Sequence, residues 1–274
     1  SFIPSDFTLG GFDIIGTVNY GMLAVEFILM GIIIYLSFKY KKYYAALLSV
    51  VQTCFVAWLE LSGSAHAVNA YLFCDNLTLI LCLMIAVVGG LICVYAVGYL
   101  KDYHHHHKDE VKDRRSFFCS MLFVFLGAMF GIVFSANLIW MYFFWEITSL
   151  SSFWLIGFTK TEEATNNAFR ALIMNLGGGL GFAIGILILG FVYGTLELST
   201  MITYGTMYSG IMAIPAAFLA FAGITKAAQM PFNSWLLGAM VAPTPTSALL
   251  HSSTMVKAGV FMIIKLAPCL GVEN

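Results

Sequence analysis

Apolar residues run through this chain in stretches of about 20, separated by short polar segments. A stretch of that length forms a helix able to cross a hydrocarbon layer about 30 Å thick. Eight such helices are predicted, and the seventh continues in broken form to residue 240. Their predicted bounds are 20–38, 45–61, 76–100, 117–135, 138–158, 168–193, 209–229 and 244–267. The pattern predicts an all-α fold, a polytopic transmembrane helical bundle with about eight helices present.

The composition excludes an ordinary soluble enzyme. Of the 274 residues, 60% are hydrophobic and only 10% are charged, whereas a soluble domain has roughly 25% charged residues. The six cysteines show no C-x-x-C spacing, so we expect this chain to ligate no iron–sulfur cluster or other metal. The formal net charge of −1 points to no nucleic-acid partner, and the lipid bilayer is the expected environment.

Basic residues are distributed unevenly between the two sides of the predicted bundle. One side has essentially only Lys265, near a helix end. Positively charged loops stay on the cytoplasmic side of a membrane. The sequence therefore predicts an integral membrane protein, in a prokaryotic cytoplasmic membrane, with its N-terminus outside. The other side has Lys39, Lys41, Lys42, Lys101, Lys108, Lys112, Arg114, Arg115, Lys160 and Arg170.

The most polar segment, KDYHHHHKDEVKDRR, spans residues 101–115 and includes the four consecutive histidines His104–His107. A histidine tract can bind transition metals, but adjacent residues of an extended chain point in different directions. No acidic or cysteine partner repeats at a ligand spacing. A solvated cytoplasmic loop that touches a partner subunit is favoured over a specific metal site.

Two ionisable residues lie deep inside predicted helices, where each costs at least about 2.5–3.5 kcal/mol. Glu146 lies near the middle of the fifth helix, and Lys226 lies in the otherwise apolar seventh helix. Pro231 follows Lys226 by five residues, so the helix is expected to break directly after the lysine. Carbonyl groups freed by such a break need water, side chains or an ion, and Thr225 and Gln229 are candidate ligands for an ion or water.

The eighth helix begins with a second break and continues with a polar stripe. Pro243 and Pro245 mark its start, and His251 and Lys257 follow, about 9 Å apart along a regular helix axis and about 120° apart around it. An imidazole is suited to relay protons between groups of higher and lower pKa. The neighbouring hydroxyls are further candidate ion or water ligands: Ser252, Ser253 and Thr254.

Buried ionisable groups can also serve only to hold helices together. Glu26 and Glu60 stand singly in the first two helices, and packing and functional roles remain equally open for them. The residues Glu146, Lys226, His251 and Lys257 are distributed over three helices, two of which are broken, and this arrangement favours an ion pathway. Ser252 and His251 are adjacent and would point about 100° apart on a helix, so no catalytic residues are expected.

Three segments resemble a known family of membrane subunits. Phe144–Phe158 resembles its fifth-helix glutamate motif, Lys226–Gly259 its longest signature, and Phe117–Asn137 its fourth helix. The family comprises the antiporter-like ion-translocating subunits of respiratory complex I, energy-converting membrane-bound hydrogenases and multisubunit sodium/proton antiporters. A lysine at position 257 resembles the sequences of the hydrogenase and antiporter branch. In the largest complex I subunit, an apolar residue is usual at this position.

The resemblance implies roles for individual residues and a larger fold. Glu146 and Lys226 would form the Glu–Lys pair of one proton half-channel, and His251 would relay protons toward the central axis. Family members have about fourteen helices in two inverted repeats. We therefore expect N-terminal helices and a cytoplasmic loop over residues 1–116, a first repeat over 117–243 and a central relay helix over 244–274. The second repeat is absent from the 274 residues, which look like part of a longer protein.

The implied function is a proton- or sodium-translocating subunit of a redox-driven complex of the energy-converting hydrogenase or complex I type. Such a subunit has no cofactor of its own and is itself non-catalytic. Its partners would be other membrane subunits and a peripheral arm with iron–sulfur clusters and nickel–iron or flavin chemistry. Two alternatives remain open: a multisubunit sodium/proton antiporter without a redox partner, and a membrane scaffold.

Overall fold

The structure is a computed structural model. It describes residues 8–9, 12–62, 68, 70–106, 114–208 and 210–271, and it does not describe the side chains of 8–14, 105–106 and 252–253. The described residues are almost entirely helical, apart from a short N-terminal hairpin in which Thr8–Leu9 (β1) pairs antiparallel with Phe12–Asp13 (β2). The predicted all-α transmembrane bundle is confirmed.

Twelve α-helices are found in the described ranges, and several continue through a short π or 3-10 turn. Six of the helical stretches have the length and mean hydropathy of a membrane span, and a seventh, α9, is a shorter apolar helix. The α-helices are α1 Ile14–Lys39, α2 Tyr43–Leu61, α3 Asn76–Met84, α4 Gly90–His106, α5 Arg115–Phe134, α6 Leu138–Ile156, α7 Glu162–Ile188, α8 Leu198–Met207, α9 Ala213–Lys226, α10 Ser234–Gly238, α11 Thr244–Ala248 and α12 Met255–Leu266.

Each of the eight predicted helices corresponds to one helical unit of the structure. The third unit joins α3 and α4 through a π turn at Ile85–Gly89, and the sixth begins earlier than predicted because Thr161 caps the Ala164 amide of α7. The sequence prediction missed α8, which has only 10 residues and mostly exposed polar positions. A helix of that length has no span-sized apolar run to reveal it.

The seventh and eighth units are interrupted, as predicted. Helix α9 ends at Lys226, and α10 resumes at Ser234. The eighth unit passes from α11 through a π turn at Leu249–Ser253 and a non-helical Thr254 into α12. Because of this second interruption, the 9 Å separation predicted for His251 and Lys257 on a regular helix does not apply.

Glycines bring the central helices into close contact. A Cβ at Gly178, Gly181 or Gly185 of α7 would meet atoms of α9 within about 3.5 Å, and a Cβ at Gly259 of α12 would meet the backbone of Gly223 and Ala227. The glycine run of the sixth helix therefore serves close helix packing, as small residues do in membrane bundles. One member, Gly179, faces polar side chains instead.

The helix ends define two faces of the bundle. One face, called the basic face here, has the C-terminus of α1, the N-terminus of α2 and Lys160. At the opposite face, Asp75 caps α3 and forms an ion pair with Lys265 of α12. Burial acts to raise the pKa of Asp75, but its hydrogen bonds with Lys265 and the Thr78 amide outweigh burial and hold this pKa below its usual value. This ion pair fixes the third helical unit to the eighth.

Candidate functional site

Lys226 is the most deeply buried charged side chain among the described residues. It lies at the C-terminus of α9 with no exposed surface. Its Nζ donates to the Trp145 carbonyl (2.8 Å), to Thr148 Oγ1 (2.6 Å) and to Ser149 Oγ (3.3 Å). Nζ also lies 4.1 Å from the centre of the Trp145 ring. All three ammonium protons therefore have acceptors on α6, which a buried cation requires.

The acceptors for Lys226 arise from one turn of α6. Thr148 and Ser149 both donate their hydroxyl protons to the Trp145 carbonyl, at 2.7 and 3.0 Å. Their lone pairs are then directed toward the lysine. Ser and Thr commonly bond to the preceding turn in this way inside membrane helices. The side chains that hold Lys226 are consequently neutral.

Glu146 lies on the same helix turn and is also buried. Its Oε2 accepts a hydrogen bond from Gln52 Nε2 at 2.8 Å, a contact that joins α2 to α6. Within the described part of the chain, Glu146 Oε1 and Gln52 Oε1 have no hydrogen-bond partner. A Cβ at Gly179 would lie 2.5 Å from Glu146 Oε1 and 2.9 Å from Gln52 Oε1. Gly179 therefore leaves the space that this carboxyl group occupies.

The predicted Glu–Lys pair is close in space without being an ion pair. Lys226 and Glu146 attract each other electrostatically, but the hydrogen bonds of Lys226 go to Trp145, Thr148 and Ser149. The carboxylate is bound by Gln52. In the structure, neutral groups bind the Lys226 ammonium, and the Glu146 carboxyl group is hydrogen-bonded to Gln52 instead of to the lysine.

The break after Lys226 leaves carbonyl groups that the surrounding protein binds. The Thr225 carbonyl accepts from the indole Nε1 of buried Trp235 in α10, at 2.9 Å. The hydroxyl of Thr225 donates within its own helix, to the Ala222 carbonyl. Gln229 and Pro231 lie exposed in the connecting segment. The backbone amide of Gln229 donates to the Ile224 carbonyl at 3.1 Å. The Trp235 side chain and the Gln229 backbone therefore both bind carbonyl groups at the interruption.

The predicted relay residues of the eighth unit lie on either side of its interruption. The His251 imidazole interacts with the backbone of Leu236, and its Nε2 is buried without a hydrogen-bond partner among the described residues. Lys257 is half-buried on α12. Thr254 is buried and donates to the Leu249 carbonyl, whereas the side chains of Ser252 and Ser253 lie outside the described residues. No hydrogen bond among the described residues joins Lys226 to His251.

Several residues of the site were missed by the sequence analysis. Two sequence features point to these residues: Gln52 is a polar residue in an apolar helix, and hydroxyl residues follow Glu146 in α6. Pro243 and Pro245 mark the start of the eighth unit as predicted, with Pro243 immediately before α11. The missed residues are Gln52, Trp145, Thr148, Ser149, Gly179 and Trp235.

No group of three His, Cys, Asp or Glu side chains that could hold a metal ion occurs in the part of the chain that the structure describes. Of the histidine tract His104–His107, only His104 is described with its side chain. The histidine tract, for which the sequence favours a solvated loop over a metal site, lies mostly outside the described residues.

The chain matches two family models. Residues 135–274 match the family described as NADH:quinone oxidoreductase/Mrp antiporter, TM, and residues 58–109 match the N-terminal part of chain 5 of NADH-ubiquinone oxidoreductase (complex I). The first match alone covers half of the chain, and it includes Glu146, Lys226, His251 and Lys257.

Curated relatives with similar sequences are named as antiporter subunits. The chain is 35% identical to Na(+)/H(+) antiporter subunit A1 of Staphylococcus haemolyticus (strain JCSC1435) over 236 residues, which is 85% of the chain and 28% of the relative. It is 38% identical to the protein of the same name from Staphylococcus aureus (strain bovine RF122 / ET3-1) over 203 residues, 73% of the chain and 24% of the relative. The chain thus spans about a quarter of these relatives' length.

Two solved membrane complexes contain a similar fold. One is the membrane-bound sulfane sulfur reductase, an archaeal respiratory complex (TM-score 0.59, 19% identity, covering 90% of this chain and 52% of that chain). The other is the Mrp complex from Dietzia sp. DQ12-45-1b (TM-score 0.56, 25% identity, covering 91% and 28%). Both are multisubunit membrane assemblies, and the chain belongs to the family of NADH:quinone oxidoreductase/Mrp antiporter transmembrane subunits.

Proposed function

We propose that this chain translocates protons as one membrane subunit of a multisubunit complex. The observation that carries the proposal is Lys226, a fully buried lysine at a helix break, bound by neutral groups of α6 beside the buried carboxyl of Glu146. A buried ammonium is retained in a membrane protein only where it is paired or functional. Because Lys226 lies next to Glu146, the pair can adopt two arrangements of charge. Lys226 binds a proton in one arrangement and releases it in the other.

In the proposed cycle, Glu146 and Lys226 exist in a near and an apart arrangement. When they are near, the carboxylate stabilises the charged lysine; when they are apart, burial favours loss of the proton. Gln52 donates a hydrogen bond to Glu146, and Lys226 donates one to Thr148. These bonds are the ones expected of the apart arrangement, because neither joins Lys226 to Glu146. A change of charge in a neighbouring subunit would shift the pair between the two arrangements and expel the proton toward His251 and then Lys257.

Two forms of energy input are compatible with this cycle. A redox-driven complex of the hydrogenase or complex I type would need a peripheral arm with iron–sulfur clusters and nickel–iron or flavin chemistry. A secondary antiporter would need only ion gradients. The relatives with 35–38% identity are named as Na(+)/H(+) antiporter subunits, which favours the antiporter. The family description includes NADH:quinone oxidoreductases, which keeps the redox-driven complex as the second candidate.

The intact complex tests this proposal after purification through a tag on this subunit and reconstitution into liposomes. We expect an imposed sodium or pH gradient to drive proton movement, measured with a pH-sensitive dye inside the vesicles. Iron, nickel and flavin are measured in the same sample. A transport-active complex without these elements supports the antiporter, and stoichiometric iron with nickel or flavin supports the redox pump. An intact complex that moves no protons with an imposed gradient, and none when an electron donor and acceptor are supplied, contradicts the proposal.

A further inference from the structure

Glu26, which stands alone in the sequence of its helix, lies near Glu146 in the folded chain, and Glu60 lies on the other side of Glu26. Glu26 is 5% exposed and interacts electrostatically with both Glu60 and Glu146. Three carboxyl groups from α1, α2 and α6 therefore form a row, called the glutamate row here: Glu60, Glu26 and Glu146. The proton cycle proposed above uses only the last of them.

Two cavities adjoin the glutamate row. The outer cavity, of about 300 Å³, lies at the opposite face, and Glu60 and Asn19 are among its lining residues. The inner cavity, of about 10 Å³, is lined in part by Glu26, Ser49, Thr53, Tyr142 and Glu146. A space of about 10–15 Å³ holds a single water molecule when polar partners surround it. The inner cavity, called the water site here, thus has room for one water molecule beside two carboxyl groups.

Unused polar atoms around the inner cavity point to an occupant. Glu26 Oε2, Glu146 Oε1 and Tyr142 Oη belong to side chains that line this cavity, and they are buried with no hydrogen-bond partner among the described residues. All three side chains are more than nine-tenths buried. Buried polar atoms are normally bonded to protein or to ordered water, so these three atoms call for a water or a hydrated proton in the cavity.

The helix geometry places the row along one seam. Asn19 and Glu26 are seven residues apart on α1, which is two turns on the same side of a helix. Helices α1 and α2 pack together as a hairpin through residues 40–42, so Glu60 stands about one turn, or ~5.4 Å, nearer the opposite face than Glu26. On α6, Ile139 lines the outer cavity, while Tyr142 and Glu146 line the inner one.

Glu26 lies on the side of α1 that packs against the bundle, and not on the side that faces lipid. The buried positions of α1 beyond residue 14 are 15, 22, 23, 26, 33 and 37, whose spacings of three, four and seven residues keep them on one side of the helix. Glu26 lies on the buried face and is flanked by Leu23 and Ile33, which are 7% and 3% exposed. An intramembrane carboxyl that faces the bundle interior and a cavity marks a candidate functional site.

We infer that Glu60, Glu26 and the water site of the inner cavity form a proton access path from the opposite face to Glu146. The outer cavity supplies protons to Glu60, which passes them to Glu26. The water of the inner cavity carries each proton from Glu26 to Glu146, next to Lys226. Because adjacent buried negative charges repel each other, a proton on one member of the row moves readily to the next. The inference rests on the proposed function of the Glu146–Lys226 pair.

The test uses the intact complex in liposomes and compares isosteric glutamine variants. We expect Glu26→Gln to slow proton uptake by roughly a hundredfold, the lower end of what a positioned proton-transfer group contributes. Glu60→Gln should slow uptake less, because the outer cavity gives water other ways to reach Glu26, and Glu26→Asp should restore part of the rate. The matched control is Glu197→Gln, since Glu197 is also buried at the opposite face and lines neither cavity.

Each outcome bears on a single claim. A normal rate for Glu26→Gln, together with an inactive Glu146→Gln, overturns the access path and leaves the proposed function standing. A normal rate for Glu146→Gln overturns the proposed function itself. A Glu26→Gln variant that loses sodium-dependent transport only, and keeps its proton uptake in sodium-free buffer, also overturns the access path and indicates a sodium site instead.

A second measurement needs no variant and therefore does not depend on folding of a mutant. A hydrophobic carbodiimide reacts with protonated carboxyl groups in apolar surroundings, and mass spectrometry locates the adduct. We expect labelling at Glu26 in the wild-type complex, accompanied by loss of proton uptake in proportion to the labelled fraction. Full labelling of Glu26 with an unchanged rate of proton uptake contradicts the access path.

Discussion

Replacement of Lys226 by methionine should abolish proton translocation while the complex still assembles. Methionine fills a similar volume, and a buried carboxyl group that loses its counter-charge, as Glu146 would, takes up a proton instead of staying charged. Thr148 and Ser149 keep their hydrogen bonds to the Trp145 carbonyl, so no hydroxyl donor is left unpaired. We expect the rate of proton uptake by liposomes to fall by at least roughly a hundredfold.

Replacement of Lys226 by arginine tests whether translocation needs only a positive charge at this position or also a proton that the side chain can release. Arginine stays charged in proteins, whereas a buried lysine can lose its proton. If Lys226 must release a proton, Lys226→Arg is inactive although it keeps the positive charge, and co-purification of the other subunits verifies assembly. Normal proton uptake by either variant would show that Lys226 is only a structural residue.

Alanine at position 179 should impair translocation through a steric effect on Glu146. The added Cβ would lie 2.5 Å from Glu146 Oε1 and 2.9 Å from Gln52 Oε1, so the ends of both side chains must shift from their observed positions. Displacement of a reacting group by about 1 Å can cost as much as 10²-fold in rate. We expect proton uptake by the Gly179→Ala complex to fall by about tenfold or more.

The matched control for this substitution is two residues away on the same helix. A Cβ at Gly177 meets no atom within 4 Å, so Gly177→Ala makes the same chemical change and contacts nothing. Alanine favours a helix by about 1 kcal/mol over glycine, which applies equally at both positions. Equal rates of proton uptake for the two alanine variants would contradict the role assigned to the space at Gly179.

The helical framework was readable from the sequence because hydrophobic length determines a membrane span. Helices occur at all eight predicted positions, six of the helical stretches have the length and hydropathy of a membrane span, and the breaks at Lys226 and at Pro243 are present. A proline has no amide proton to donate to the preceding turn, so the position of a break is a local property. Helix α8 was missed because it is short and only partly buried, and such helices depend on tertiary contacts that no local pattern reveals.

The arrangement of the site was much less readable. Residues that are 78 and 94 positions apart in sequence, Lys226 with Thr148 and Gln52 with Glu146, meet only through helix packing. The sequence showed that Glu146 and Lys226 needed partners, but it could not supply those partners' identities. It also left Glu26 as a single residue of undecided role, whereas the fold places it on a cavity shared with Glu146.

The central claim is that a proton passes through the Glu146–Lys226 pair, and the most direct measurement is the rate of proton uptake by the intact complex carrying Glu146→Gln. Glutamine keeps the size of the side chain and an oxygen that can accept from Gln52, but it cannot take up or release a proton. The account predicts an assembled complex with no measurable uptake, while Glu197→Gln retains the wild-type rate. Wild-type uptake by an assembled Glu146→Gln complex would contradict it.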